Sequence, residues 1–257
     1  MCLVVIAWKV HPRWRLLLAG NRDEFHARPT SPLARWAPTT TAAALYAGRD
    51  LVSGGTWAGL DARGRCAVVT NVRDPKAPMV TGSSRGDLPV DFVTGDRSAA
   101  QYASKLQVRT PAYSPFNLLT ADATRCLYVG NHPSHAHMEL PPGIHGMSNG
   151  GFDLPWPKTQ RLAHAVQAWI ESDGDDPAPL WAALSNEDIA PDAELPDTGV
   201  GLALERRLSP AFIRGPDYGT RASTLIALDH AGQGWISERR FGPDGVFEGE
   251  TTLHNHD

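Results

Sequence analysis

The chain has 257 residues, of which 42% are hydrophobic and 20% charged, a composition typical of a globular protein and not of a disordered one. A formal net charge of -4 gives no broad basic surplus, which disfavours nucleic acid and anionic membranes as main partners. The three scattered cysteines exclude a disulfide framework and favour a reducing compartment.

An apolar run, MCLVVIAW, opens the chain and ends at the first charged residue. It lacks the basic start and the length of a secretion signal, and a membrane-spanning helix needs about 20 apolar residues. We therefore expect a cytoplasmic protein without stable membrane insertion. Leu3–Ala7 and Trp14–Ala19 are predicted to form two buried strands, joined by a turn at His11–Arg13.

Further along the chain, paired strands and helices occupy different regions. The strands are predicted at Trp57–Leu60, Cys66–Thr70, Phe116–Ala121, Arg125–Val129, Ser223–Leu228, Gly234–Arg239 and Val246–Leu253. The helices are predicted at Ser84–Val93, Ser98–Leu106, Pro157–Glu171, Pro179–Leu184 and Gly201–Leu208, with exposed loops at Asp173–Pro177 and Ala190–Thr198. Adjacent strand pairs with helices between them indicate an α+β fold with antiparallel sheets, in one domain over residues 1–257.

Polar residues follow several predicted strands, where side chains can line a site. They are Asn21, Arg22, Asp23, Glu24 and Arg28, then Asn71 and Arg73, then Asn149, and finally Tyr218 to Arg221. Each has an ordinary alternative: the asparagines are typical of turns, and the arginines of surface ion pairs. His132, His135 and His137 could bind a metal, but their segment has loop composition, so we expect solvated histidines and no metal site.

Cys2 raises a chemical possibility of its own. Removal of Met1 would give Cys2 a free α-amine of pKa about 7.7–8.0 beside a thiol of pKa about 8.5, so one residue could act as base and nucleophile. Arg22 could lower the thiol pKa, Asp23 could orient the amine, and Asn71 and Asn149 could donate hydrogen bonds to an oxyanion. The alternative is a small buried cysteine at the start of a strand.

The motifs of the chain resemble those of the NRDE family, the transport and Golgi organisation proteins. In order, they are MCLVVIAW, GNRDEFHARP, GGTWAGL, VVTNVR, SSRGDL, FNLL, MSNG with WPK, and YGTRAST, and they run from residue 2 to about 241. The family is similar in fold to N-terminal nucleophile hydrolases. The resemblance implies a four-layer αββα sandwich of two antiparallel sheets, which the strand pairs also suggest.

More remotely, the layout resembles the choloylglycine hydrolase and penicillin acylase group, in which an N-terminal cysteine attacks an amide. Carried over by motif, the catalytic positions are Cys2, Arg22, Asp23, Asn71, Asn149 and Arg221. Those hydrolases carry G-R-N-x-D where this chain has G-N-R-D-E. The acidic role therefore stays open between Asp23 and Glu24.

The family is also linked to haem mobilisation and to lipid or acyl-coenzyme A metabolism, which implies binding without bond cleavage. Two functions follow: a cysteine amidohydrolase, or a carrier of haem or an acyl ligand in the same pocket. Either needs a small-molecule partner and no cofactor, and the oligomeric state stays open. The candidate ligand-binding residues are Asn21, Glu24, Arg28, Trp57, Arg73, Trp156 and Tyr218.

Overall fold

The computed structural model describes residues 2–36, 43–77, 80, 82–172 and 175–256. Within these residues the strands form two antiparallel sheets, one of six strands and one of seven. The six-stranded sheet has the order β10-β1-β2-β11-β12-β13, and the other has the order β3-β4-β5-β6-β7-β8-β9. The strands are β1 (Cys2–Trp8), β2 (Trp14–Phe25), β3 (Thr30–Trp36), β4 (Leu45–Asp50), β5 (Ala58–Asp61), β6 (Cys66–Asn71), β7 (Phe116–Ala121), β8 (Cys126–Gly130), β9 (Ala136–Glu139), β10 (Gly143–Met147), β11 (Tyr218–Asp229), β12 (Gly234–Phe241) and β13 (Phe247–His254).

Helices cover the outer face of each sheet. They are α1 (Asp87–Thr94), α2 (Ala99–Gln107), α3 (Pro157–Glu171), α4 (Ala178–Leu184) and α5 (Leu202–Arg207). Pro157 begins α3, where its missing N–H is no loss, and Ser98 caps α2 by accepting from the Gln101 amide. In the described part of the chain, none of these helices has the length and apolar content needed to cross a bilayer.

Three buried cores separate four layers. The first lies between the two sheets, the second between the seven-stranded sheet and α1 with α2, and the third between the six-stranded sheet and α3 with α4. Strand β1 contributes to two of them, because alternate residues face opposite sides: Val4, Ile6 and Trp8 face the other sheet, whereas Leu3 and Val5 face the helices. Burial on both faces explains its continuous apolar sequence. The predicted four-layer αββα architecture is therefore confirmed.

Most predicted elements are present with shifted ends, and two polar segments lie elsewhere than predicted. Asn21–Glu24 does not follow the second strand; it is part of β2, which continues to Phe25. Tyr218–Arg221 likewise belongs to β11. In the ladder between β11 and β2, Thr220 pairs with Asp23 and Ala222 with Arg22, so Arg221 is an extra residue in a β-bulge.

Some elements were absent from the sequence prediction. Strands β3, β4 and β9 had no predicted counterpart, and β9 lies in the segment interpreted as a histidine loop. Strand β10 coincides with the short run Ile144–Ser148 predicted before Asn149. The predicted helix at Ser84 begins only at Asp87, after Gly86. The predicted loop Ala190–Thr198 contains a short 3-10 turn at Asp192–Glu194. Of the loop Asp173–Pro177, residues 173 and 174 lie outside the described residues.

Candidate active site

Cys2 begins β1 and pairs directly with Arg22 of β2. Opposite residues of an antiparallel pair share a face of the sheet, so both side chains point between the two sheets. Glu24, two residues further along β2, lies on that face too, whereas Asn21 and Asp23 lie on the face toward the helices. The hairpin thus places a thiol beside a guanidinium.

A cavity of about 150 Å³ opens at this point. It brings together seven residues predicted from the sequence, namely Cys2, Arg22, Asp23, Glu24, Arg28, Trp57 and Asn71, and adds Asp50 and Arg85. Trp57 lies 4.8 Å from the Arg22 guanidinium, measured to the ring centroid. Gly48 of β4 leaves the space for that ring, since a Cβ atom there would come within 2.2 Å of it.

Four charged side chains form an arginine–carboxylate network in this cavity: Arg22, Glu24, Arg28 and Asp50. Arg28 Nε lies 2.5 Å from Asp50 Oδ2 and 4.0 Å from Glu24 Oε2. Arg22 Nη2 lies 3.4 Å from Asp50 Oδ2 and 3.7 Å from Glu24 Oε2. Arg22 is 6% exposed, and its buried Nη1 has no acceptor among the described residues. Arg22 thus keeps a hydrogen-bond donor for a ligand or for the thiolate.

Asp23 is held on the helix-facing side of β2. Its Oδ1 accepts a hydrogen bond of 2.7 Å from Thr220 Oγ1, and burial raises the pKa of its carboxyl group. The positive charge of Lys158 is the main influence that opposes this rise. Lys158 is itself buried, with its amine donating to the Leu208 carbonyl at 3.0 Å, and burial lowers its pKa. Asp23 and Lys158 are therefore a buried acid and base close to Cys2.

The Cys2 thiol is buried, and burial raises its pKa. The Asp23 carboxylate acts in the same direction, while Arg22 and a hydrogen bond from the Asp23 backbone amide lower the pKa. The expected influence of Arg22 is present, but burial outweighs it. The thiol is thus mostly protonated at neutral pH, and a nearby base is needed to activate it.

Asn149 and Arg221 do not line the cavity. Asn149 Nδ2 donates to the Asn71 carbonyl at 2.8 Å, which fixes the end of β6, and its Oδ1 has no partner in the described part of the chain. Arg221 Nη1 donates to the carbonyls of Phe25, His26 and Arg28 at 3.0 to 3.2 Å. Both residues therefore hold backbone that surrounds the cavity.

Arg221 also lines a neighbouring cavity of about 180 Å³, which shares Arg22 and Trp57 with the first. Its wall includes Glu238 of β12, whose Oε1 accepts from the Leu33 amide at 2.8 Å. Burial raises the pKa of Glu238 to about 7.

Asn21 and Tyr218 have other surroundings. The Asn21 amide donates to the carbonyls of Leu184 and Ala211 at 2.8 and 2.7 Å, which attaches β2 to the helical layer. Tyr218 packs edge-on against Phe25 at 5.1 Å between ring centroids. Burial raises its pKa, and the charge of Asp23 acts in the same direction.

Arg73 and Trp156 line a separate groove of about 570 Å³. The Arg73 guanidinium lies 5.4 Å from the Trp156 ring centroid and 2.7 Å from Glu205. The backbone between Asn71 and Arg73 joins the two sites, because Asn71 lines the cavity and Arg73 the groove. The predicted single pocket is thus divided in two.

Sequence reasoning missed Asp50, Arg85 and Lys158. Two of them had a signal: Arg85 lies within the motif SSRGDL, and Lys158 shares a helix face with Leu162, Val166 and Trp169. A charge in such an apolar stripe indicates a specific buried contact. Asp50 belongs to an unpredicted strand, and Arg85 lies far along the chain from Cys2.

Comparison with known proteins gives a consistent result. The family model described as Transport and Golgi organisation 2 matches residues 1–243. A Transport and Golgi organization protein 2 homolog from Bos taurus is 32% identical, over 99% of this chain and 98% of that protein. The homolog from Homo sapiens is 30% identical, over 93% of this chain and 92% of that protein.

Two solved structures share the fold. A mutant, C2A, of a conjugated bile acid hydrolase from Clostridium perfringens has a TM-score of 0.56 and 9% identity, over 98% of this chain and 92% of that one. An N-acylethanolamine-hydrolyzing acid amidase ortholog from Caenorhabditis elegans has a TM-score of 0.55 and 10% identity, over 98% of this chain and 100% of that one. These likenesses confirm the N-terminal nucleophile hydrolase-like fold predicted from the sequence.

Proposed function

The chain belongs to the Transport and Golgi organisation 2 family, and we propose that it is a cysteine amidohydrolase with Cys2 as its nucleophile. The observation that carries this proposal is the position of Cys2, at the start of a strand, paired with Arg22 and lining a charged cavity. The names of the two fold neighbours, a bile acid hydrolase and an acid amidase, support the choice of amide hydrolysis.

The reaction begins with removal of Met1, which leaves the α-amine on Cys2. That amine accepts the thiol proton, and the sulfur attacks the amide carbonyl carbon to form a C–S bond. The C–N bond then breaks, and the departing amine takes a proton from the α-ammonium group. Water hydrolyses the resulting thioester, which releases a carboxylic acid and restores the thiol.

Each neighbouring group has a part in this reaction. Arg22 Nη1 stabilises the thiolate or the developing oxyanion, and the Asn71 amide can donate to the same oxygen. Asp23 orients the α-ammonium from the opposite face of β2, since its carboxylate is held by Thr220. We assign the acidic role to Asp23 and not to Glu24, because Glu24 belongs to the arginine–carboxylate network.

The test combines the mature N-terminus with turnover. Mass spectrometry is expected to show the chain without Met1, and a panel of N-acyl amides is expected to give an acyl-enzyme that hydroxylamine releases. Cys2→Ala should abolish turnover, while Cys66→Ala, at another buried cysteine, should retain it. An active preparation that keeps Met1 would contradict the proposal.

The second candidate function is ligand carriage, and the groove of about 570 Å³ favours it. This volume lies in the range of about 300–1,000 Å³ usual for small-molecule sites, whereas the cavity at Cys2 is smaller. Trp156 lines this groove and offers an aromatic face to haem or an acyl chain.

A haem titration tests the carrier function. We expect a saturable absorbance change at micromolar haem that is lost in Trp156→Ala and kept in Trp235→Ala, which removes a tryptophan outside the groove. An absence of any change with haem, together with no binding of acyl ligands, would contradict carriage.

A further inference from the structure

The arginine–carboxylate network at the Cys2 cavity is electrically balanced on its own. It contains two guanidinium groups and two carboxylates, with each cation within 4.0 Å of both anions. The other acid at this cavity, Asp23, accepts from Thr220 on the opposite face of β2. The network is therefore neutral without any further group, and Asp23 is held on the other face of β2.

Arg85 is such a further cation. It lines the cavity from the segment before α1, and its Nη1 donates to the Pro115 carbonyl at 3.1 Å, a neutral acceptor. Across the described residues, no carboxylate lies within the 4.0 Å of an ion pair from its guanidinium, and no second hydrogen bond reaches it. Burial lowers the pKa of Arg85 and the more distant Glu24 charge opposes this, so the guanidinium remains protonated at neutral pH.

A partly desolvated cation without an ion-pair partner gains stability when a ligand supplies an anionic group in direct contact. A guanidinium offers five N–H donors in a planar fork that matches the two oxygens of a carboxylate. Arg22 Nη1 adds a second donor in the same cavity. The cavity beside Cys2 therefore has hydrogen-bond donors from two arginines that could bind an anion.

We propose that Arg85 is an anion-binding residue, and that the acyl compound bound at Cys2 carries a carboxylate a few bonds from its reactive carbonyl group. Cys2 and Arg85 line the same cavity of about 150 Å³, which limits the separation between the two groups of the ligand. The reactive carbonyl rests on the proposed function, whereas the contact between Arg85 and a carboxylate does not.

Alkylation of Cys2 by two probes measures this anion preference without turnover. Iodoacetate and iodoacetamide are both attacked by the thiolate, which displaces iodide, but only iodoacetate is negatively charged. The ratio of their rate constants at Cys2, followed by peptide mass spectrometry, cancels any change in thiol pKa. We expect Arg85→Gln to lower the iodoacetate-to-iodoacetamide ratio about 10-fold.

Two control variants accompany Arg85→Gln. Arg85→Lys keeps the positive charge and should keep most of the ratio. Arg125→Gln removes an exposed arginine, 3.7 Å from Glu139 and outside the cavity, and should leave the ratio unchanged. An unchanged ratio in folded Arg85→Gln overturns the proposal. If Arg85→Gln does not fold, the wild-type protein is compared with an unstructured peptide that contains cysteine. An iodoacetate-to-iodoacetamide ratio at Cys2 no higher than that of the peptide overturns the proposal.

The outcome separates the anion site from the hydrolase function. A protein that keeps Met1 and shows no turnover, but retains the Arg85-dependent ratio, contradicts the hydrolase and supports the anion site. A protein that hydrolyses amides, but whose iodoacetate-to-iodoacetamide ratio does not depend on Arg85, supports the hydrolase and contradicts the anion site.

Discussion

The layer between the two sheets has two contrasting ends, built from opposite ends of the same strands. At its closed end Trp8 pairs with Leu16, and Leu60 pairs with Cys66, in a continuous apolar core. At its open end, the same strands β1 and β2 present Cys2 and Arg22 to a charged cavity.

The contrast shows what burial of a cysteine does and does not imply. Cys66 and Cys2 are both buried, and burial raises the pKa of both thiols, that of Cys66 to about 12. Only Cys2 lines the charged cavity. Burial therefore does not identify a nucleophile, and the charged cavity beside Cys2 separates it from a packing cysteine.

Truncation at each end gives the largest expected difference. Leu60→Ala, at a fully buried position of the closed end, should lower the free energy of unfolding by about 2–5 kcal/mol, because a cavity remains. Asn71→Ala, half-buried at the open end, should cost less than about 1 kcal/mol. Urea unfolding of both variants checks the comparison. Similar losses for the two would show that the open end is packed as a core.

Glu238 tests the charge at the open end. Its pKa rises from 4.5 when unfolded to about 7 when folded, so the unfolded state binds fewer protons between these values and stability falls as pH rises through that window. Glu238→Gln keeps an acceptor for Leu33 and avoids this loss. The variant should be about 3 kcal/mol more stable than wild type at pH 8 and equal to it near pH 4.5. A pH-independent difference would contradict a buried, titrating carboxyl.

Thiol accessibility should also differ between the ends. Iodoacetamide applied to the folded protein should modify Cys2 at least about 100-fold faster than Cys66 or Cys126, because the latter two open to solvent only when the core unfolds. Peptide mapping by mass spectrometry over time gives the three rates. Equal rates at Cys2 and Cys66 would show that the cavity does not admit small molecules.

The smallest effect concerns the closed end at high pH. The pKa of Cys66 is about 12 in the folded state, so above about pH 9 the unfolded state loses the thiol proton first and stability declines. The contribution is about 1 kcal/mol between pH 9 and 10. Cys66→Ala should therefore lose less stability than wild type over that interval in parallel unfolding curves. Identical pH slopes would contradict the raised pKa.

Elements with two clear boundaries could be predicted from sequence. Phe116–Ala121 and Pro157–Glu171 were predicted to the residue, because turn residues or a proline mark their ends. The unpredicted strands β3 and β9 lie at sheet edges, where exposure removes the apolar pattern. Strand β4 is interior, but its Gly48-Arg49-Asp50 ending has the composition of a turn.

The site could be predicted only where its residues lie close together in the sequence. The apolar pattern of the first hairpin is enough to predict Arg22 across from Cys2, and the register confirms this pairing. Asp50 and Arg85 reach the cavity through pairings between distant segments, which periodicity does not encode. Asn21 and Thr220 lie inside long strands because their side chains find buried partners across the ladder, Ser223 for Asn21 and Asp23 for Thr220.

The bulge at Arg221 has a consequence for how the length of the chain can vary. Thr220 pairs with Asp23, and Ala222 pairs with Arg22. In a strand without the bulge, Thr220 and Ala222 would be consecutive residues. Deletion of Arg221 would therefore leave the register unchanged on both sides of the deletion. Most single deletions in a strand turn every following side chain to the other face. Arg221 is thus dispensable to the sheet, and its place in the chain is accounted for by the three carbonyls that it binds.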